Sequence, residues 1–200
     1  WSLKYDGMNV TDFTLRTNEL SPAVGNISSI SSFGEDFDGE IYIVTQSAGR
    51  IWKIIPEPPQ CGFTNYCTAL PTSTGFPSSI VATGSPSITT NNFVVAAGGL
   101  PTGTAGIFFY GPAQTQQPSG IGNLCVTGDV TMPAIRLYPA ISAGILGDAA
   151  RQIDFTDPNQ SMGVGAILPG MTLNFQFWFR DNQMGTPTWN FTDAVSVLFC

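Results

Sequence analysis

The 200-residue sequence contains no histidine. That absence excludes Ser-His-Asp and Cys-His nucleophilic catalysis, His-ligated zinc and an imidazole pH switch. Charge is scarce too, at 10% of residues against roughly 25% in an average soluble domain. Acidic residues outnumber basic ones 14 to 7, for a net charge of −7, so nothing here neutralises a phosphate backbone and nucleic acid is excluded as a partner. The sequence lacks any run of about 18 consecutive apolar residues, which excludes a membrane-spanning helix. From residue 58 to residue 128 there is no Asp, Glu, Lys or Arg at all. Hydrophobic residues make up 42%. Such a chain builds a large core and surfaces it with Ser, Thr, Asn, Gln and Gly, which a disordered acidic tail or a coiled coil does not do.

Twelve of the 21 charged side chains lie in residues 1–57, and the composition changes sharply after them. At the join stands Pro56-Glu57-Pro58-Pro59-Gln60-Cys61, a stiff segment that continues neither a helix nor a sheet. Three parts are expected: a first domain over 1–57, a Pro-rich linker over 58–66, and a second domain over 67–200. The opening residues, Trp1 to Tyr5, already alternate as a strand does, so the sequence reads as part of a longer polypeptide. The four cysteines fit no zinc pattern, and in so lightly charged a chain they read as disulfides of an extracellular or cell-surface protein. Four cysteines allow three pairings. The favoured one is a short loop, Cys61–Cys67, with Cys125–Cys200 tying a mid-chain strand to the last.

Short β-prone runs punctuated by Gly, Pro and Asn fill both parts. In the first they fall at 1–5, 10–13, 30–33, 41–45 and 50–55, the last two joined as a hairpin through Gln46-Ser47-Ala48-Gly49. In the second they fall at 79–82, 92–97, 107–110, 124–126, 135–137, 151–155, 173–180 and 194–199. Residues 140–149 come nearest to a helix, but Gly144 and Gly147 weaken it. The fold class is therefore all-β, with an antiparallel, jelly-roll-like sandwich in the second part. Along 173–180 the period of two puts Phe175, Phe177 and Phe179 on one face and Asn174, Gln176, Trp178 and Arg180 on the other.

Several residues invite a chemical reading. Asp36, Asp38 and Gly39 form a D-x-D-G run, the start of a Ca²⁺ ligand set, but the terminal Glu is missing and the run reads as a hairpin turn. Asp154, Asp157, Asp181 and Asp193 are carboxylates of the kind a glycosidase pairs, yet each sits beside turn or strand-end residues, and none is assigned catalysis. Trp178 with Asn174, Gln176 and Arg180, joined by Tyr110, resembles an aromatic and amide surface on which a sugar ring stacks. Asn9, Asn26, Asn159 and Asn190 each begin an N-glycosylation sequon.

Residues 30–43, Ile-Ser-Ser-Phe-Gly-Glu-Asp-Phe-Asp-Gly-Glu-Ile-Tyr-Ile, followed by Gly49-Arg50-Ile51-Trp52-Lys53-Ile54-Ile55-Pro56, resemble the closing blade of soluble pyrroloquinoline-quinone (PQQ)-dependent glucose/sorbosone dehydrogenases, six-bladed β-propellers. Trp1-Ser2-Leu3-Lys4-Tyr5-Asp6-Gly7 resembles the outer hairpin of the preceding blade, and the likeness covers 1–56. The remainder is similar to C-terminal modules of large secreted planctomycete proteins, through Gly106-Ile107-Phe108-Phe109-Tyr110-Gly111, Leu124-Cys125-Val126 and the runs 174–181 and 191–200. The resemblance implies a non-catalytic C-terminal portion that closes the propeller and adds an attachment or assembly module. PQQ, Ca²⁺ and the catalytic histidine would belong to upstream blades of a full-length parent, so this chain carries no catalytic residue and no cofactor of its own. Two other readings stand beside it: a structural subunit of an extracellular filament or surface layer built by strand pairing, and a carbohydrate-binding module contacting polysaccharide. In each of the first two, upstream blades or neighbouring subunits cover the open strand edges.

Overall fold

The computed structural model describes residues 2–16, 20, 22, 25–47, 49–55, 61–183 and 185–200. Trp1, Ala48 and the Pro-rich stretch 56–60 lie outside them. The chain divides into two compact units, Trp1–Pro58 and Pro59–Cys200.

In the first unit β1 (Ser2–Tyr5) and β2 (Val10–Thr14) form an antiparallel hairpin. Its turn is held by Asp6, whose Oδ1 accepts from the backbone N–H groups of Met8 and Asn9, while Gly7 takes the left-handed conformation that a β-carbon disfavours. Strands β3 (Ile30–Glu35), β4 (Ile41–Thr45) and β5 (Arg50–Lys53) form a separate three-stranded meander. Only the central strand has a buried face: Ile43 and Thr45 are buried, whereas β3 is exposed at every position. Ile43 is the one buried apolar side chain among the described residues of this unit, while Tyr5, Val10, Phe13, Ile30, Phe33 and Ile51 stand exposed.

The second unit runs through β6 (Gly62–Tyr66), β7 (Ser79–Thr83), β8 (Val94–Gly98), β9 (Ala105–Gly111), β10 (Ala113–Ser119), β11 (Gly122–Thr127), β12 (Ile135–Arg136), β13 (Ile141–Ser142) and β14 (Ala149–Gln152). A one-turn helix α1 (Pro158–Ser161) and the long strands β15 (Thr172–Gln183) and β16 (Thr186–Leu198) complete it. The principal sheet has the order β12-β9-β15-β16-β6, with β13 also on β9. A second sheet, β14-β8-β7, packs against one of its faces. All these pairings are antiparallel and neither sheet closes into a barrel, so the unit is a β-sandwich. Residues 140–149 make no helix; they contain β13 and a Gly144–Gly147 turn.

The core follows from the alternation along β15. Phe175, Phe177 and Phe179 are fully buried, and Phe108, Tyr110, Val195 and Val197 join them from the flanking strands, with Phe199 just beyond β16. Phe93 of the opposing layer plugs this face, its ring 5.3 Å from Phe199 and 5.8 Å from Phe175. Each such side chain contributes about 1.5–3 kcal/mol by burial. A bulge in β16 sets the other face: Gln176 pairs with Ala194 but Trp178 with Phe191. The extra residue lets Phe191 and Ala194, three apart, point to the same side, and the Thr192 hydroxyl accepts from the Phe177 N–H.

The disulfides are Cys61–Cys200 and Cys67–Cys125, not the expected Cys61–Cys67 and Cys125–Cys200. The reason lies in residues 62–66, expected within the linker. They form strand β6 on the edge of the principal sheet. An extended strand at about 3.3 Å per residue separates Cys61 from Cys67 by roughly 20 Å, far beyond disulfide reach. Instead Cys61 lies 5.8 Å, Cα to Cα, from Cys200. Cys67 lies 6.2 Å from Cys125. Peptide mapping under non-reducing conditions is expected to recover these two pairs, and a Cys61–Cys67 peptide would contradict the strand assignment. Replacing Cys61 and Cys200 together by Ser is expected to lower unfolding free energy by about 2–5 kcal/mol, measured by denaturant titration.

Candidate functional site

The second face of the principal sheet is not an open surface. The β10–β11 hairpin lies over it, forming a third layer in which Phe109, Cys125, Val126, Phe191 and Ala194 are buried together. Gln176 anchors the hairpin: its Oε1 accepts from the Cys125 N–H, and its Nε2 donates to the carbonyls of Asn123 and Thr192. Asn174 does the same further along, accepting from Gln114 and donating to the carbonyls of Gly111 and Pro112. At the tip Gly120 adopts positive φ against the Trp189 backbone, an approach any β-carbon would block. There the Ile121 N–H donates to the Trp189 carbonyl. Tyr66 reinforces the layer from β6, donating its hydroxyl to the Cys125 carbonyl, and burial pushes its phenol pKa upward.

This geometry corrects the proposed sugar-stacking surface of Asn174, Gln176, Trp178, Arg180 and Tyr110. Asn174 and Gln176 are buried with their amides satisfied, because an interior face pairs an amide with backbone groups. Tyr110 lies on the opposite face, stacked on Phe175 and donating its hydroxyl to the Gly165 carbonyl. Desolvation there raises its pKa to about 12. Arg180 is exposed and pairs in register with Trp189. Trp178, on the same face, is partly exposed.

Trp178 opens onto a cleft of about 850 Å³. Its floor is Ile107, Phe109 and Trp178 of the principal sheet; β11 supplies Leu124 and Val126 on one side. Residues 134–140, with Arg136 and Tyr138, supply the other, and Trp189 and Phe191 complete the lining. Because Arg136 pairs with Phe109 across β12 and β9, its side chain stands on the cleft face. Trp189 and Arg136 were not singled out in the sequence: the first sits in a β16 that begins at Thr186, eight residues before the expected strand, and the second in a two-residue strand.

The carboxylates accept hydrogen bonds in turns, at a helix cap and between layers. Asp36 holds its own hairpin turn: Oδ1 accepts from the N–H groups of Asp38 and Glu40, and Oδ2 from the Tyr42 hydroxyl. Those donors, Glu40 first, hold its pKa below the usual carboxylate value. Asp157 caps α1, and Asp154 is held low by Thr156 and Asn91. Asp181 is fully buried and accepts from the Ser73 N–H through both oxygens. Asp193 reaches across the layers to the Ile80 N–H and the Asn65 amide. Among the described residues no three His, Cys, Asp or Glu side chains are grouped to hold a metal ion. Of the sequons, Asn9, Asn26 and Asn159 are exposed. Asn190 is not available as expected: it is fully buried in β16, donating to the Pro71 carbonyl and accepting from the Phe191 N–H.

Comparison with known proteins returns no matching family model, no matching curated relative and no matching solved structure.

The aspartates are expected to titrate in a definite order. Desolvation raises Asp193 above the ordinary value, whereas hydrogen bonds from Thr131 and Met132 lower Asp129 and those from Thr156 and Asn91 lower Asp154. Asp193 therefore opposes folding as pH rises through the interval between its unfolded and folded pKa. Asp129 and Asp154 contribute stability present above their unfolded pKa and lost as pH falls through the folded one. Carboxyl-carbon NMR is expected to show Asp193 protonating at the highest pH of the three; an Asp193 midpoint below the others would contradict its buried bridging position.

Proposed function

We propose that this chain is a non-catalytic portion of an extracellular protein: its first unit completes a larger β-structure and its second is an attachment module. In the finer form of this reading, residues 1–56 are the closing strands of a propeller of the PQQ-dependent sugar dehydrogenase type. The oxidation then belongs to other parts of the polypeptide. The residues here do not fit a quinone or Ca²⁺ site, since the chain has no histidine and the Asp36 oxygens are committed to its turn.

The observation that carries the reading is the state of the first unit. Three strands with one buried apolar side chain recover little of the entropy lost in ordering them. Exposed Phe33, Ile41 and Ile51, with outer edges on β3 and β5 that pair with no further strand among the described residues, invite further β-structure to cover them. Two disulfides suit an oxidising compartment, and among the described residues no helix is long and apolar enough to cross a membrane. The same open edges also favour a second reading, in which another copy supplies the missing strands and the chain polymerises.

Hydrogen exchange by mass spectrometry separates these outcomes. In the 200-residue chain alone, amides of β3, β4 and β5 are expected to exchange rapidly while those of β9, β15 and β16 persist. In the native protein the β3–β5 amides are expected to be protected, with a polypeptide longer than 200 residues under the propeller reading, or a mass rising with concentration under the polymer reading. Protection of β3–β5 in a monomer of the 200-residue chain would overturn both.

A further inference from the structure

We infer that the aromatic cleft of the second unit binds an acidic sugar polymer, holding one carboxylate-bearing ring between Trp178 and Arg136. The charge pattern is the first reason. This unit carries three cationic side chains, Arg136, Arg151 and Arg180. Arg151 is committed to structure, donating to the carbonyls of Tyr138 and Pro139 and so fixing the segment that walls the cleft. Arg136 is the one charged side chain lining the cleft, and among the described residues its guanidinium has no ion-pair or hydrogen-bond partner. An unpaired guanidinium over an apolar floor is complementary to a carboxylate, which it receives through two parallel N–H donors.

The floor supplies the second reason. Trp178 is half-exposed, and Tyr138 and Trp189 are 69% and 42% exposed at the rim. Ring faces of this kind pack against the C–H face of a pyranose while leaving its hydroxyls at the edge. Donors for those hydroxyls are at hand. The Trp178 indole N–H has no partner among the described residues, and the Ser119 hydroxyl, which accepts weakly from Trp189 at 3.3 Å, retains its own proton to donate. An alkyl chain would leave the indole N–H and Ser119 unmatched. The cleft is partly open to solvent, which admits a ring that remains joined to neighbouring sugars.

The test titrates the whole protein with tetragalacturonate and with neutral cellotetraose, following tryptophan fluorescence and calorimetry. Saturable binding of tetragalacturonate is expected, weakening as salt is raised. Arg136→Gln, at an exposed position that leaves the fold intact, is expected to weaken it about tenfold. Trp178→Ala is expected to abolish the binding heat, with Trp178→Phe retaining part of the affinity should the Ala variant not fold. Lys4→Gln, a charge change of the same sign in the first unit, is expected to bind as the parent does. Equal binding of cellotetraose, indifference to Arg136→Gln, or no binding at millimolar concentration would each overturn the inference. The cleft lies wholly in the second unit, so these outcomes do not depend on what covers the first.

Discussion

The second unit depends on a sheet whose two faces differ in kind and must both be covered. On one face of β15 three phenylalanines drive burial without directional demands, and any apolar layer of the right volume satisfies them. On the other face Asn174 and Gln176 bring amides out of water, which costs free energy unless each donor and acceptor is met. The β10–β11 hairpin meets them. Its sequence is poor in apolar residues along β10, so it is held less by area than by the Gln176 and Asn174 hydrogen bonds and the Cys67–Cys125 link. The cleft exists because the hairpin covers only part of this face, leaving Trp178 half-covered beside Arg136.

The two disulfides divide the mechanical work. Cys61–Cys200 joins the start of edge strand β6 to the chain end beyond β16, closing a loop with a separation of 139 residues. Cys67–Cys125 pins the third layer to the end of the same edge strand. In the chain-entropy view such long loops give the larger stabilisations, which suits a unit with only three cationic side chains. The first unit has no such device. Its described ion pairs, Lys4–Asp12 and Lys53–Glu40, are exposed and add little.

Much of the fold was legible because period-two alternation and turn chemistry are local. The strands within the expected runs 41–45, 107–110 and 173–180, the strand Arg50–Lys53 of the expected run 50–55, and the Phe175/Phe177/Phe179 face follow from them directly. The unread parts depend on distant partners. β10, Ala-Gln-Thr-Gln-Gln-Pro-Ser, has no apolar face and is a strand because β11 pairs with it. β6 was hidden by the two cysteines that bracket it, which suggested a loop. Alternation divides β15 into two faces but does not say whether a third layer covers the polar one. The signal was the residue type: Asn and Gln at alternate positions, where a solvent-facing strand tolerates Lys or Glu, are side chains that an interior can satisfy.

The central claim, that the polar face of β15 is interior and carries the hairpin, is tested most directly by NMR of the Gln176 side-chain amide. Its Nε2 protons are expected to exchange slowly with solvent and to show proximity to the Cys125 amide. Exchange at the rate of a free glutamine, with no contact to Cys125, would contradict the three-layer arrangement and with it the cleft.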